Sequence, residues 1–501
     1  MIAKQKRTVF AVVFNYSLFT TMLVIAGYFL VRPEVGAEVL QAPEFDDVSA
    51  FGESDISRVD AWLQDQVKLA KYPSLSVAIV RDGEIVYRGA FGFEDIKAGR
   101  KATPQTLYPV ASVTKAFTAT VAVILHDRGV IDLDQPVLKY LPAEVSISTT
   151  PKLGATITLR QLASHTSGLP RGVPGQVQSV EGWYQLEPQR LYDHLARIKL
   201  DSDPGTNEEY SNLGFGLLGH ALERAAEKPF DRLLQELVCE PLQLKKTAIP
   251  TDDKLRPATG YDSSGWRSES KESFRERLAS SGGLVTSAED LGKFLAAQMK
   301  PGVFSSEMLT QLHTESVMAD GSTARTALGW SVSSSDYVGR ILHKNGGRSN
   351  CSAWIGFAPE YGVGVAVVTN CGGPDVDSIG RWLLERSVPG AHQPVTKHGY
   401  AKVAPYTGVR WENDWPIVQV RNEWFPLVSI NGLPIDRIME FARKEFGNRA
   451  RKRFGEDLVE LLSKMGHEPK WEVNLGLETK DGQIEHLQIR ITEEFRDLVQ
   501  K

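Results

Sequence analysis

The chain has 501 residues, 42% hydrophobic and 24% charged, which excludes a disordered, collagen-like or disulfide-scaffold protein and leaves room for two or three globular domains. Its 57 Lys and Arg against 62 Asp and Glu give a net charge of −5, so no global positive field exists to hold a nucleic-acid backbone and no nucleic-acid partner is expected. Three cysteines, Cys239, Cys351 and Cys371, are too few for a disulfide framework and lack zinc-binding Cys-x-x-Cys spacing; the ten histidines show no ligand pattern either, so no metal or other cofactor is expected.

Lys4, Lys6 and Arg7 precede an uncharged apolar run from Thr8 to Val31, which as a helix would be about 36 Å long and long enough to span a bilayer. Residues 1–31 read as an uncleaved signal anchor, although Val35-Gly36-Ala37 offers a small-residue site at which the protein would instead be cut and secreted. Positive charge on the short side keeps that side cytoplasmic and places the rest of the chain outside, in a periplasm-like compartment. Residues 32–55 read as a linker. A helix over 60–69 opens the folded body, followed by strands at 75–80 and 85–91 around the hairpin dipeptide Asp82-Gly83. The pattern then predicts helices at 113–128, 159–164, 212–228, 231–238 and 288–297, the last capped by Thr286 or Ser287. Strands at 351–357 and 363–369 form a second hairpin that would set Cys351 nearly opposite Cys371, either as a disulfide or as two separate buried thiols. From about Gln393 the texture changes. Residues 393–501 read as a small α+β accessory domain with strands at 417–420 and 424–430, helices at 434–446 and 449–465, a hairpin at Asp481-Gly482 and a closing helix from Thr492. Its cluster Arg443, Lys444, Arg449, Arg451, Lys452 and Arg453 reads as solvated helix faces, with an anionic wall polymer or lipid surface as the alternative.

Three stretches between them, residues 56–392, can carry chemistry. Ser112-Val113-Thr114-Lys115 starts an apolar helix, where residues three apart share a face, so an amine reaches a hydroxyl that is a poor nucleophile until a neighbour takes its proton. The same spacing in Ser268-Glu269-Ser270-Lys271 lies in a polar stretch and reads as chance. Tyr210-Ser211-Asn212 hands a phenol and an amide to a helix start: the phenol suits proton transfer and the amide suits holding a carbonyl, unless they merely pack a loop and cap the helix. His343-Lys344-Asn345-Gly346-Gly347 offers paired glycines for close backbone approach and a lysine for an anion.

In this order, Ser112-x-x-Lys115, Tyr210-Ser211-Asn212-x-Gly214 and Lys344-Asn345-Gly346-Gly347 resemble the serine β-lactamase and DD-peptidase (penicillin-binding protein) superfamily, in its class C β-lactamase branch. Supporting stretches are Leu162 to Pro170, Ser281 to Ser287 and Leu328-Gly329-Trp330. The resemblance implies an α/β (α+β) fold, an antiparallel sheet flanked by helices with a helical subdomain. It also implies an extracytoplasmic serine hydrolase in which Ser112 is acylated and Lys115 and Tyr210 share the proton transfers. Asn212 would orient the substrate amide, and Lys344, Asn345, Gly346 and Gly347 would line the substrate strand, with the amides of Ser112 and Gly347 as oxyanion hole. His165 belongs to a stretch that reads as structural. Substrates would be cell-wall D-amino-acid peptides, small esters or amides, or β-lactams; a catalytically inactive scaffold of the same fold is the alternative. Where class C enzymes carry Lys-Thr-Gly this chain has Lys344-Asn345-Gly346, which bears on β-lactam recognition, and His343 stands one position from the His-x-Gly of esterase and peptidase relatives.

Overall fold

The computed structural model describes residues 53–69, 72–148, 156–172, 188–251, 255–262, 279–335, 338–373, 375–388, 395–396, 399–400, 404–420, 423–467, 472–479 and 481–490. The anchor at 1–31, most of the linker, the second Ser-x-x-Lys at 268–271 and the closing helix from Thr492 lie outside them; no helix among the described residues is long and apolar enough to cross a membrane.

Helix α1 (Glu53–Leu69) leads into β1 (Ser74–Arg81) and β2 (Glu84–Asp95). These strands are joined by Asp82 and Gly83 at φ +51° and +85°, the left-handed pair that a two-residue hairpin demands. With β3 (Arg100–Lys101), β4 (Ser331–Ser335), β5 (Gly339–Arg348), β6 (Cys351–Ala358) and β7 (Val363–Thr369) they make a seven-stranded antiparallel sheet in the order β3-β2-β1-β7-β6-β5-β4. The central strands β1, β6 and β7 are buried along their whole length, because helices cover both faces and leave no side of the pleat for polar residues. Val77 and Ile79 face α1 and α6 (Val376–Arg386) through one core, where Trp62 and Trp382 stack at 4.2 Å. Ala78 and Val80 point the other way into a larger core built with α2 (Thr114–Asp127), α3 (Leu159–Ala163), α4 (Asn212–Ala226) and α5 (Ala288–Met299). This alternation places the start of α2 against the end of β5.

The stretch 343–347 is part of a ten-residue strand: β5 pairs with β4 through residues 339–343 and with β6 through 342–348, with Lys344 opposite Ile355. Lys, Asn and Gly are poor strand formers, and the ladder with β6 overrides that preference, since β4 pairs only with residues 339–343. The cysteines do not pair. The ladder ends at Ser352 opposite Thr369, so Cys371 falls past the strand end with its thiol on the Asp262 carbonyl at 3.1 Å, and Cys351 and Cys371 are two separate buried thiols.

Residues 404–489 supply a third core of their own, with Val418, Leu427, Ile438, Phe454 and Leu475 at its centre. Strands β8 (Gly408–Glu412), β9 (Trp415–Val420), β10 (Glu423–Ile430), β11 (Leu433–Pro434), β12 (Glu472–Glu478) and β13 (Ile484–Arg490) form its sheet, with helix α7 (Ile435–Phe446). The single helix expected over 449–465 is two, Ala450–Glu456 and Leu458–Lys464, parted where Asp457 leaves helical geometry at φ −128° and ψ 37°. Its basic cluster is matched by acids: Arg451 bonds Asp414, and Arg453 reaches Asp457 and Glu460 at 2.5 and 3.4 Å.

Trp354 on β6 is buried because two glycines make room for it: a Cβ on Gly356 or on Gly380 of α6 would lie 2.3 or 2.2 Å from its ring. Alanine favours a helix interior over glycine by about 1 kcal/mol, yet overpacking a core costs about 1–3 kcal/mol. Gly380→Ala is therefore expected to destabilise the protein by up to about 2 kcal/mol in chemical denaturation; a raised midpoint would show that the ring moves aside freely.

Candidate active site

The chain reaches Ser112 through a strained turn. Ala111 has φ +43°, a left-handed conformation that a β-carbon makes costly, and a 3-10 turn over Ala111–Val113 then opens α2. Thr114 holds this turn: its hydroxyl donates to the Ala111 carbonyl at 2.6 Å and accepts the Leu284 amide at 3.1 Å. Strand β5 runs hard against it, since a Cβ on Gly346 would lie 2.1 Å from the Val110 oxygen and 2.9 Å from the Ser112 nitrogen. Glycine at 346 is what allows that approach.

Lys115 lies fully buried. Its Nζ donates to Ser112 Oγ at 3.2 Å, to Asn212 Oδ1 at 2.8 Å and to the Ser281 carbonyl at 2.7 Å, so three acceptors from three parts of the chain answer the three N–H groups of an ammonium. The Tyr210 hydroxyl meets Ser112 Oγ from the other side at 2.6 Å. Ser112 thus stands between an amine and a phenol, a serine hydroxyl with two proton-exchanging neighbours.

Tyr210 is placed from both sides of its own backbone. His165, itself at φ +61°, accepts the Glu209 amide on its carbonyl at 2.7 Å and the Ser211 amide on its Nδ1 at 3.1 Å, and its ring leans on the phenol at a centroid separation of 4.5 Å. Burial beside Lys344 and Lys115 holds His165 well below the ordinary imidazole range, so it is neutral. The cap of α4 is Ser211, whose hydroxyl accepts the Gly214 amide. Asn212 is therefore free of the capping role and points its oxygen at Lys115.

Lys344 is 3% exposed, and its ammonium lies 5.0 Å from the Tyr210 ring centroid. Burial pushes its pKa down to about 8 against the pull of Glu208. Tyr210 moves the other way: burial raises it, while the Ser112 hydrogen bond and the Arg171 charge lower it. The resting pair is thus a phenol and a lysine close to losing its proton.

Of the residues singled out from sequence, Ser112, Lys115, Tyr210, Asn212, Lys344 and Gly346 converge, and the Gly347 backbone follows along β5. Asn345 does not join them. Successive strand residues face opposite ways, and its amide turns to Asp377 of α6 at 2.8 Å. His343 likewise faces Trp354 rather than Tyr210, so Lys344 is the residue in register with the site. Two contributors have no sequence signal of their own: the Ser281 carbonyl, because any residue supplies one, and Arg171, whose guanidinium lies 5.1 Å from the Tyr210 ring centroid.

Residues 59–389 match the family model Beta-lactamase. Among curated proteins the chain is similar to Protein flp of Staphylococcus aureus (strain MW2), 27% identical over 321 residues, or 62% of each chain. It is also similar to the D-alanyl-D-alanine-carboxypeptidase/endopeptidase AmpH of Escherichia coli (strain K12), 27% identical over 59% of this chain and 78% of that one. The match thus spans under two thirds of the length of the Flp proteins. Among solved structures, a β-lactamase/D-alanine carboxypeptidase from Yersinia pestis superposes with TM-score 0.54 and 25% identity over 66% of this chain and 99% of its own. An octameric penicillin-binding protein homologue from Pyrococcus abyssi superposes with TM-score 0.57 and 20% identity over 87% and 96%; at that identity it speaks to the fold. On its motifs, its fold and these matches, the chain belongs to the β-lactamase family, within the superfamily of serine β-lactamases and DD-peptidases.

Proposed function

We propose that this protein is a serine hydrolase working through an acyl-enzyme on Ser112. One observation carries the reading: Ser112 Oγ lies between the Lys115 amine and the Tyr210 hydroxyl at 3.2 and 2.6 Å. In the first half-reaction the Oγ–acyl bond forms as the bond from the acyl carbon to the leaving nitrogen or oxygen breaks. The step requires the Lys115 and Tyr210 pair to hold one proton fewer than an ammonium and a phenol together; the pair then takes the serine proton and delivers it to the leaving group. Water then cleaves the ester and restores the serine. The Ser112 and Gly347 amides are our oxyanion hole, Asn212 our ligand for the substrate amide, and Lys344 our partner for a substrate carboxylate. Substrates are D-amino-acid peptides of the cell wall, small esters or amides, or β-lactams. The AmpH relative favours the carboxypeptidase side. Residues 1–31 anchor the chain with its body outside the cytoplasm, and 393–501 form an accessory domain.

Intact-protein mass after mixing the full chain with a penicillin, beside Ser112→Ala, tests the nucleophile. An adduct on the wild type alone, or drug destruction by it alone, is expected, with hydrolysis falling at least about a thousandfold in the variant. No adduct, no drug loss and no turnover of D-alanyl esters or peptides would leave the inactive scaffold as the reading.

Lys344 supplies a pH test. Its charge is present below about 8 and is lost above it, so KM for a carboxylate-bearing substrate should climb by up to about tenfold per pH unit beyond that point. In Lys344→Met, KM should be high and flat. A wild-type KM that does not change through this range would remove Lys344 from carboxylate binding.

A further inference from the structure

Three cations surround one aromatic ring. Lys115 Nζ, Lys344 Nζ and the Arg171 guanidinium carbon lie 4.8, 5.0 and 5.1 Å from the Tyr210 centroid. Both lysines are buried, whereas Arg171 is exposed. Each lysine already has a use in the proposed reaction. Arg171 has none, yet it is tied to the site by its own backbone, whose carbonyl accepts the Asn212 amide at 3.0 Å.

We propose that Arg171 is a positioning residue for Tyr210, laying a permanent positive charge over the phenol so that its oxygen bears negative charge more readily during proton transfer with Ser112. This rests on the hydrolase reading above. The groups facing Tyr210 are Ser112 and Lys115 from the turn into α2, His165 from the loop after α3, Lys344 from β5 and Arg171. His165 is neutral, and Glu208 acts on Lys344. Lys344 loses its charge as pH rises through about 8, whereas a guanidinium stays charged at every working pH. Arg171 is thus a cation that persists over the ring where Lys344 has lost its charge. The sign follows: a nearby cation favours phenolate, so removing it makes the phenol harder to ionise.

The test uses the full chain as wild type, Arg171→Gln and Arg171→Lys, each beside the same chain carrying Tyr210→Phe. Subtracting the ultraviolet phenolate signals within each pair isolates the Tyr210 titration. In Arg171→Gln we expect that titration to move up by about one pH unit. With an uncharged ester, kcat/KM at neutral pH should fall about tenfold with KM unchanged, and Arg171→Lys should recover most of both. A Tyr210 titration that stays in place overturns the proposal. So does a loss confined to KM for anionic substrates, which would make Arg171 a substrate clamp. Failure of the hydrolase reading shows separately, as a wild type that turns over nothing, whatever the titration does.

Discussion

Everything at this site depends on burying one amine. Lys115 lies inside the protein with no exposed surface, and an ammonium taken out of water is costly unless its N–H groups find acceptors. It finds them on Ser112, Asn212 and Ser281, which belong to the turn into α2, the first turn of α4 and the short helix Ala279–Gly282. Satisfying one buried group therefore fixes the relative placement of three elements, and Ser112 is placed as a consequence. A bare hydroxyl next to a surface lysine would have none of this constraint.

The same economy governs Tyr210. Burial makes its phenol reluctant to ionise, which would disable it as a proton acceptor. The Ser112 hydrogen bond and the Arg171 charge oppose that reluctance. Strain supports the arrangement: Ala111 and His165 both adopt positive φ, one immediately before Ser112 and the other holding the amides on either side of Tyr210. Such residues persist only where surrounding hydrogen bonds over-determine them, and the Thr114 bonds at one end and the Ser211 amide at the other do so here.

Much was legible before any coordinates. The hairpin at Asp82-Gly83, the helix after Ser112, the capped helix at 288 and the strands at 351–357 and 363–369 follow from local chemistry: turn residues with φ above zero, periodic apolar faces, side-chain caps. The structure extends or trims them by a few residues. Less legible were elements whose stability is borrowed. Strand β5 runs through Lys344-Asn345-Gly346-Gly347, a stretch with little strand preference, and is held extended there by the ladder with β6, β4 pairing only as far as His343. The cysteines looked opposed from hairpin symmetry, yet the ladder ends before Cys371.

By itself the sequence determined which residue types are available at which spacings: a serine three residues before a lysine, a tyrosine two before an asparagine, a lysine before two glycines. Those patterns carry the resemblance to a family and the local geometry of each motif, because both are properties of short segments. Only the tertiary structure decided that Lys344 faces Tyr210 while Asn345 and His343 turn away, that a backbone carbonyl at Ser281 completes the cradle of Lys115, and that Arg171 lies over the phenol. Strand parity, backbone acceptors and the convergence of loops distant in sequence leave no mark on residue identity, since each is set by which segments pair and pack.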